Sequence, residues 1–199
     1  MQNAITIVSG LPRSGTSMMM QMIAAGGVAP LVDNVREADI DNPRGYYEFE
    51  AVKQVKEDQS WLDEAQGRVV KMVYRLLYDL PPHYSYRVVF MRRDLDEVIA
   101  SQEEMLRRLG KASDAVPAQQ MAGIYRRQLA DVAAWLQQQP NFEALDVEYR
   151  DVIANTESVV ERLNAFLGGG LDTAAMLRVP DRGLYRQRSD SLGQSSGAR

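Results

Sequence analysis

The residues best suited to chemistry in this chain sit in one short loop, Gly10-Leu11-Pro12-Arg13-Ser14-Gly15-Thr16-Ser17. A loop that wraps an anion needs small residues, so that successive backbone N–H groups can converge, and a following helix whose positive end adds to them. Gly10, Ser14, Gly15, Thr16 and Ser17 meet the first need, and Arg13 brings a cation into the loop. Against the triphosphate-binding pattern G-x-x-x-x-G-K-[ST], both glycines and the final hydroxyl are kept, but Thr16 stands where the lysine belongs. Triphosphate chemistry thereby loses a main source of charge stabilisation.

Other polar residues stand in settings that invite a role. Lys71 lies within the apolar run Val69 to Val73, where an ammonium group is costly to bury unless an anion or carboxylate is beside it. Glu48 follows Gly45-Tyr46-Tyr47, a turn whose aromatic walls would partly desolvate a carboxylate and make it the first candidate for a general base. Glu37, Asp39 and Glu50 compete with it, and a structural pairing of Glu48 with Arg44 is an equally open reading. Asn42-Pro43 with Gly45 is at minimum a turn. The single histidine, His83, follows Pro81-Pro82 in an expected loop, and there is no cysteine. Histidine and thiolate metal clusters therefore have little material, and no metal is expected.

These residues must be positioned by regular elements. Ala4 to Val8 is a short β-branched run ahead of the loop, and Met18, Met19, Met22 and Ile23 fall on a helix that ends at Gly26-Gly27. Val69 to Val73 and Val88 to Met91 read as buried strands. After the second, Asp94 caps a helix on which Val98, Ser101, Met105 and Leu109 recur at helical spacing and which Gly110 ends. Met121, Tyr125, Leu129, Val132 and Leu136 predict a long amphipathic helix over 118–139, stopped by Pro140. Ala144 to Val147 reads as a last strand, and 157–167 as a last helix with Thr156 as its N-cap and Gly168 as its stop. Alternating strands and helices imply an α/β fold of three layers, a mainly parallel sheet with helices on both faces. Ligands bind such sheets at the carboxyl ends of the strands, where both the Gly10 loop and Arg92-Arg93 fall.

At 199 residues and 45% hydrophobic content the chain is expected to form one domain over 1–186, with a polar, disordered tail over 187–199. The net charge of −4 argues against a nucleic-acid partner, and no apolar stretch approaches a membrane span. The N-terminus lacks the features of a secretory leader, so a cytoplasmic protein is expected.

The segment Leu11-Pro12-Arg13-Ser14-Gly15-Thr16-Ser17 resembles the Pro-[Lys/Arg]-Ser-Gly-Thr-[Thr/Ser] loop of the sulfotransferase family. A second element follows in the right order: Arg93 at a strand end with Ser101 eight residues on is similar to the family's pair that contacts the donor's 3′-phosphate. Val147 to Asn155 is similar to the stretch preceding a late helix in many members, and Asn42 to Glu48 looks like a motif of bacterial sulfotransferase-like proteins. Asp181-Arg182-Gly183 weakly resembles the family's Arg-Lys-Gly segment over the nucleotide.

The resemblance implies a P-loop NTPase-like fold and transfer of a sulfuryl group from 3′-phosphoadenosine 5′-phosphosulfate (PAPS), the co-substrate, to a hydroxyl or amine acceptor. It assigns Arg13, Ser14, Gly15, Thr16 and Ser17 to the 5′-phosphosulfate and Arg93 and Ser101 to the 3′-phosphate; Arg13, Lys71 and, as the first candidate for the base, Glu48 are the expected catalytic residues. Lys71 aligns with a strand lysine of cytosolic members, but the histidine base two residues further on is replaced here by Val73. The base must then come from elsewhere. A P-loop nucleotide or metabolite kinase and a noncatalytic nucleotide-binding protein of the same fold are the competing readings. Acceptor and oligomeric state are not legible in the sequence.

Overall fold

The computed structural model describes residues 4–33, 35, 45–110 and 117–181. Its centre is a parallel sheet of four strands, β1 (Ile5–Gly10), β2 (Val69–Lys71), β3 (Tyr86–Arg92) and β4 (Phe142–Glu148), in the order β2-β1-β3-β4. β1 is buried along its whole length, Thr6 and Ser9 included, whereas β4 forms one edge and exposes Glu143, Ala144, Asp146 and Glu148. Register places Gly10 beside Met91, so the chain leaves β1 and β3 at the same level.

The period of two along the strands divides the core. Ile5, Ile7, Tyr86, Val88 and Phe90 pack on one face with α2 (Leu62–Ala65) and with Val132 and Leu136 of α4 (Ala118–Gln138). Val8, Val89, Met91 and Val147 face the other side, against α1 (Thr16–Ala25), α5 (Tyr149–Ala154), α6 (Thr156–Phe166) and α7 (Thr173–Leu177). The three-layer α/β fold is as the strand and helix alternation predicts. α3 (Leu95–Arg108) adds Val98 to the first face while α1 lies on the second. The helices after neighbouring strands β1 and β3 thus diverge, which opens a crevice at their carboxyl ends.

Local signals explain most boundaries. The Asp94 carboxylate accepts from the N–H groups of Asp96 and Glu97, and Gly110, at φ 65°, turns the chain out of α3. Two expectations are corrected. β2 stops at Lys71 instead of reaching Val73, because its pairing with β1 ends at Val8 and the chain turns into a 3-10 helix, Tyr74–Asp79, leaving Val73 exposed. Thr156 is not a cap: α6 begins on it, and its hydroxyl donates to the Val152 carbonyl of α5, a helix that periodicity does not predict. The tail over 187–199 and the bounds of the 1–186 domain lie outside the described residues.

Candidate active site

The crevice holds a cavity of about 360 Å³, within the usual range for a small-molecule site. The Gly10 loop forms its base. Two backbone constraints shape that loop. Gly15 has φ 97°, and a Cβ there would lie 2.4 Å from Cδ2 of Tyr149. Arg13, which is not glycine, has φ 73°, a conformation costing roughly 1–2 kcal/mol for an L-residue. The Ser14 hydroxyl donates to the Leu11 carbonyl at 2.7 Å and closes the turn. Among the described residues no side chain caps α1, and Thr16, Ser17 and Met18, which carry its first N–H groups, line the cavity. Replacing Gly15 with Ala is expected to lower stability by about 1–3 kcal/mol through strain at positive φ, with further loss as Tyr149 is displaced. Chemical denaturation of the variant measures this.

The second strand end is tied to the first through side chains. The Arg13 Nε donates to Ser101 Oγ at 2.9 Å, across 88 residues of sequence. Arg93 Nη1 donates to the Arg13 carbonyl at 3.0 Å, and Gln102 Nε2 donates to the Pro12 carbonyl at 3.2 Å. Arg93 in turn pairs with Glu97 at 2.9 Å, the two side chains being 9% and 2% exposed. Its guanidinium stacks 4.5 Å from the Tyr149 ring, the same ring that packs on Gly15. Arg92 leaves the cavity and pairs with Asp146 on β4 at 2.7 Å.

A third group meets the loop from β2. Lys71 Nζ donates to the Tyr46 carbonyl, stands 3.4 Å from Glu48 Oε1 and lies 3.5 Å from Ser17 Oγ. The Ser17 hydroxyl itself donates to the Tyr46 carbonyl at 3.2 Å. Gly45 at φ 88° and Tyr47 at φ 52° bend the chain sharply around Tyr46. Downstream of the bend, Asp33 anchors the start of the 3-10 helix Glu50–Gln54, accepting from Glu50 N at 2.5 Å and from Val35 N at 3.1 Å. Burial alone would raise the Asp33 pKa, but those backbone donors hold its carboxyl below the ordinary value.

Residues 84–172 match the model of the sulfotransferase family. The structure resembles the sulfotransferase domain from the curacin biosynthetic pathway, with a TM-score of 0.52 at 16% identity over 90% of this chain and 78% of that one. It also resembles a mouse sulfotransferase, SULT7A1, complexed with PAP, with a TM-score of 0.53 at 14% identity over 100% of this chain and 67% of the other. The fold is that of the sulfotransferases. No curated protein sequence matches this chain.

Within this sulfotransferase fold, Arg13, Gly15, Thr16, Ser17, Glu48, Lys71, Arg93 and Ser101 all line the one cavity, while Ser14 is buried beneath it. The carboxylate expected beside Lys71 is Glu48. Glu50 instead pairs with Lys53 at 2.5 Å and does not line the cavity. His83 is exposed beside Tyr84, away from the site. Glu37, Asp39, Arg44 and the Asn42-Pro43 turn lie outside the described residues, as do Arg182 and Gly183, whereas Asp181 lines the cavity. Sequence reasoning missed Glu97, Gln102 and the placement of Tyr149. Glu97 sits four residues after Arg93 at a helix start, a spacing that brings opposite charges together. Tyr149 follows the third strand end on the same edge, a signal available once β4 is placed there. Among the described residues no helix is long and apolar enough to cross a membrane.

Proposed function

We propose that the protein transfers a sulfuryl group from PAPS to an acceptor hydroxyl or amine by in-line displacement. One observation carries this reading: the Gly10 loop and the Arg93–Ser101 turn, which the resemblance assigns to the two ends of one donor, are joined by the Arg13–Ser101 bond at 2.9 Å. A nucleotide phosphorylated at both its 3′ and 5′ positions fits such a pair of adjoining anion sites. The PAP held by the mouse neighbour is of that class.

In this reading Arg13 and the N–H groups of Ser14 to Ser17 hold the donor's 5′-phosphate, and Arg93 and Ser101 its 3′-phosphate. The acceptor hydroxyl gives its proton to the Glu48 carboxylate as its oxygen bonds to sulfur. The bond between sulfur and the phosphate oxygen breaks, and the charge growing on that oxygen is met by Arg13 and the loop. Lys71, beside both Ser17 and Glu48, supplies an ammonium between the two reacting halves. It also offers a cation near the last residue of a loop in which Thr16 has displaced the triphosphate-binding lysine.

Calorimetric binding of 3′-phosphoadenosine 5′-phosphate, with ATP plus magnesium as comparator, tests the donor site. The bisphosphate is expected to bind in preference to ATP, Arg13→Ala to weaken it about 10–100-fold, as loss of charge-assisted bonds requires, and Ser101→Ala by roughly 2–10-fold. Preference for ATP, or affinity indifferent to both substitutions, would return the protein to the kinase or noncatalytic reading.

A further inference from the structure

We propose that Gln102, held by Tyr125, is a positioning residue that keeps the Pro12–Arg13 peptide of the Gly10 loop in an orientation which the local sequence disfavours. Its role concerns the donor site of the sulfotransfer reading above and rests on that reading.

Leu11-Pro12-Arg13-Ser14 is a β-turn, closed by the Ser14 N–H on the Leu11 carbonyl at 3.2 Å. Two residues decide its type. Arg13, at the third position, has φ 73°, a sign that types I′ and II place there. The proline ring fixes φ at about −65°, which excludes the primed type, so the turn is type II. Type II asks for glycine at its third position, and this chain has arginine. Turning the Pro12–Arg13 peptide over by about 180° gives type I, whose third residue has φ of about −90° and suits any L-residue, and whose second position takes proline as readily. By local preference this sequence favours the other turn.

Side chains oppose that preference. The Leu11 carbonyl accepts from Ser14 Oγ at 2.7 Å, the Pro12 carbonyl from Gln102 Nε2 at 3.2 Å and the Arg13 carbonyl from Arg93 Nη1 at 3.0 Å. The middle bond distinguishes the two turns, because turning the peptide over carries the Pro12 carbonyl away from Gln102 and brings the Arg13 N–H, a second donor, in its place. An amide could itself turn over and accept from that N–H. The Tyr125 hydroxyl opposes this by donating to Gln102 Oε1 at 2.9 Å, which leaves the NH2 group facing the loop. α4 in turn holds Tyr125 against the core of the first sheet face. One hydrogen bond and one L-residue at positive φ are of similar size in free energy, so the Gln102 bond is large enough to tip the turn. Pro12 and Arg13 both line the cavity, and the flip would reverse a peptide dipole of about 3.5 D at the wall of the donor site.

Calorimetric binding of 3′-phosphoadenosine 5′-phosphate to the full chain tests this role. Gln102→Leu is expected to weaken binding about 3–10-fold, and Tyr125→Phe, which leaves Gln102 in place, about 2–5-fold, as the fraction of molecules with the competent turn falls. Both changes are then repeated in an Arg13→Gly protein. Glycine meets positive φ without strain, so the turn there no longer depends on Gln102, and each change is expected to alter affinity by less than about twofold. Equal losses in the two backgrounds would overturn the proposal, since Gln102 would then touch the ligand or merely support α3. Unchanged affinity in the parent background overturns it as well and leaves the donor site standing. A parent protein that does not bind the bisphosphate removes the sulfotransfer reading itself, and this role with it.

Discussion

Arg93→Ala is expected to destabilise the protein by about 3–5 kcal/mol, the cost of leaving one partner of a buried ion pair behind. Glu97, the residue left, is 2% exposed and cannot recover its hydration without opening the start of α3. The same substitution removes the donor to the Arg13 carbonyl at 3.0 Å and the cation over Tyr149 at 4.5 Å, so the strained loop loses two supports at once. Urea denaturation reads the stability loss. A paired replacement, Arg93→Leu with Glu97→Leu, separates the two jobs of the arginine. Hydrophobic residues can replace a buried pair with little loss of stability, so the double variant is expected to regain most of the deficit. Bisphosphate affinity is expected to stay lost, because the guanidinium that would meet the 3′-phosphate is gone. Recovery of both properties would show that Arg93 serves only to brace the loop.

Arg93 marks where sequence reading succeeds and where it stops. The sheet was legible because β1, β2 and β3 carry short runs of isoleucine or valine, and because β1 has apolar residues on both faces, Ile5 and Ile7 on one and Val8 on the other. The Gly10 loop was legible as a strand-to-helix turn because its small residues stand between an apolar run and a helical period, and it lines the cavity. Lys71 announced a partner by its cost: a lysine among valines implies a carboxylate, and Glu48 stands 3.4 Å away. The limits of β2 were not legible, since valine at 73 continues the strand pattern and only the end of pairing with β1 stops it. Nor was Tyr149. Its importance comes from Gly15, far earlier in the chain, whose missing Cβ makes room for the ring, and no local pattern encodes a contact at that separation.

Glu48→Gln is expected to lower turnover by about 10²–10⁴-fold, the range that a positioned proton acceptor contributes, while bisphosphate affinity stays within twofold. The amide keeps the shape of the side chain and a carbonyl oxygen for Lys71, but it cannot take a proton from an acceptor hydroxyl. The Glu48–Lys71 pair is mostly buried, at 21% and 13% exposure, so its geometry should survive the exchange of one oxygen for nitrogen. A second measurement decides between chemistry and support. If Glu48 merely holds Lys71 beside Ser17, removing its charge should release the ammonium and weaken donor binding together with turnover. If Glu48 takes the proton, the variant should bind the donor normally and lose turnover alone. Val73 makes the outcome consequential. With an aliphatic side chain at the position where the resemblance puts the base of cytosolic family members, a Glu48→Gln variant that binds donor but does not turn over would place proton transfer at Glu48, next to the lysine that stands beside both Ser17 and Glu48.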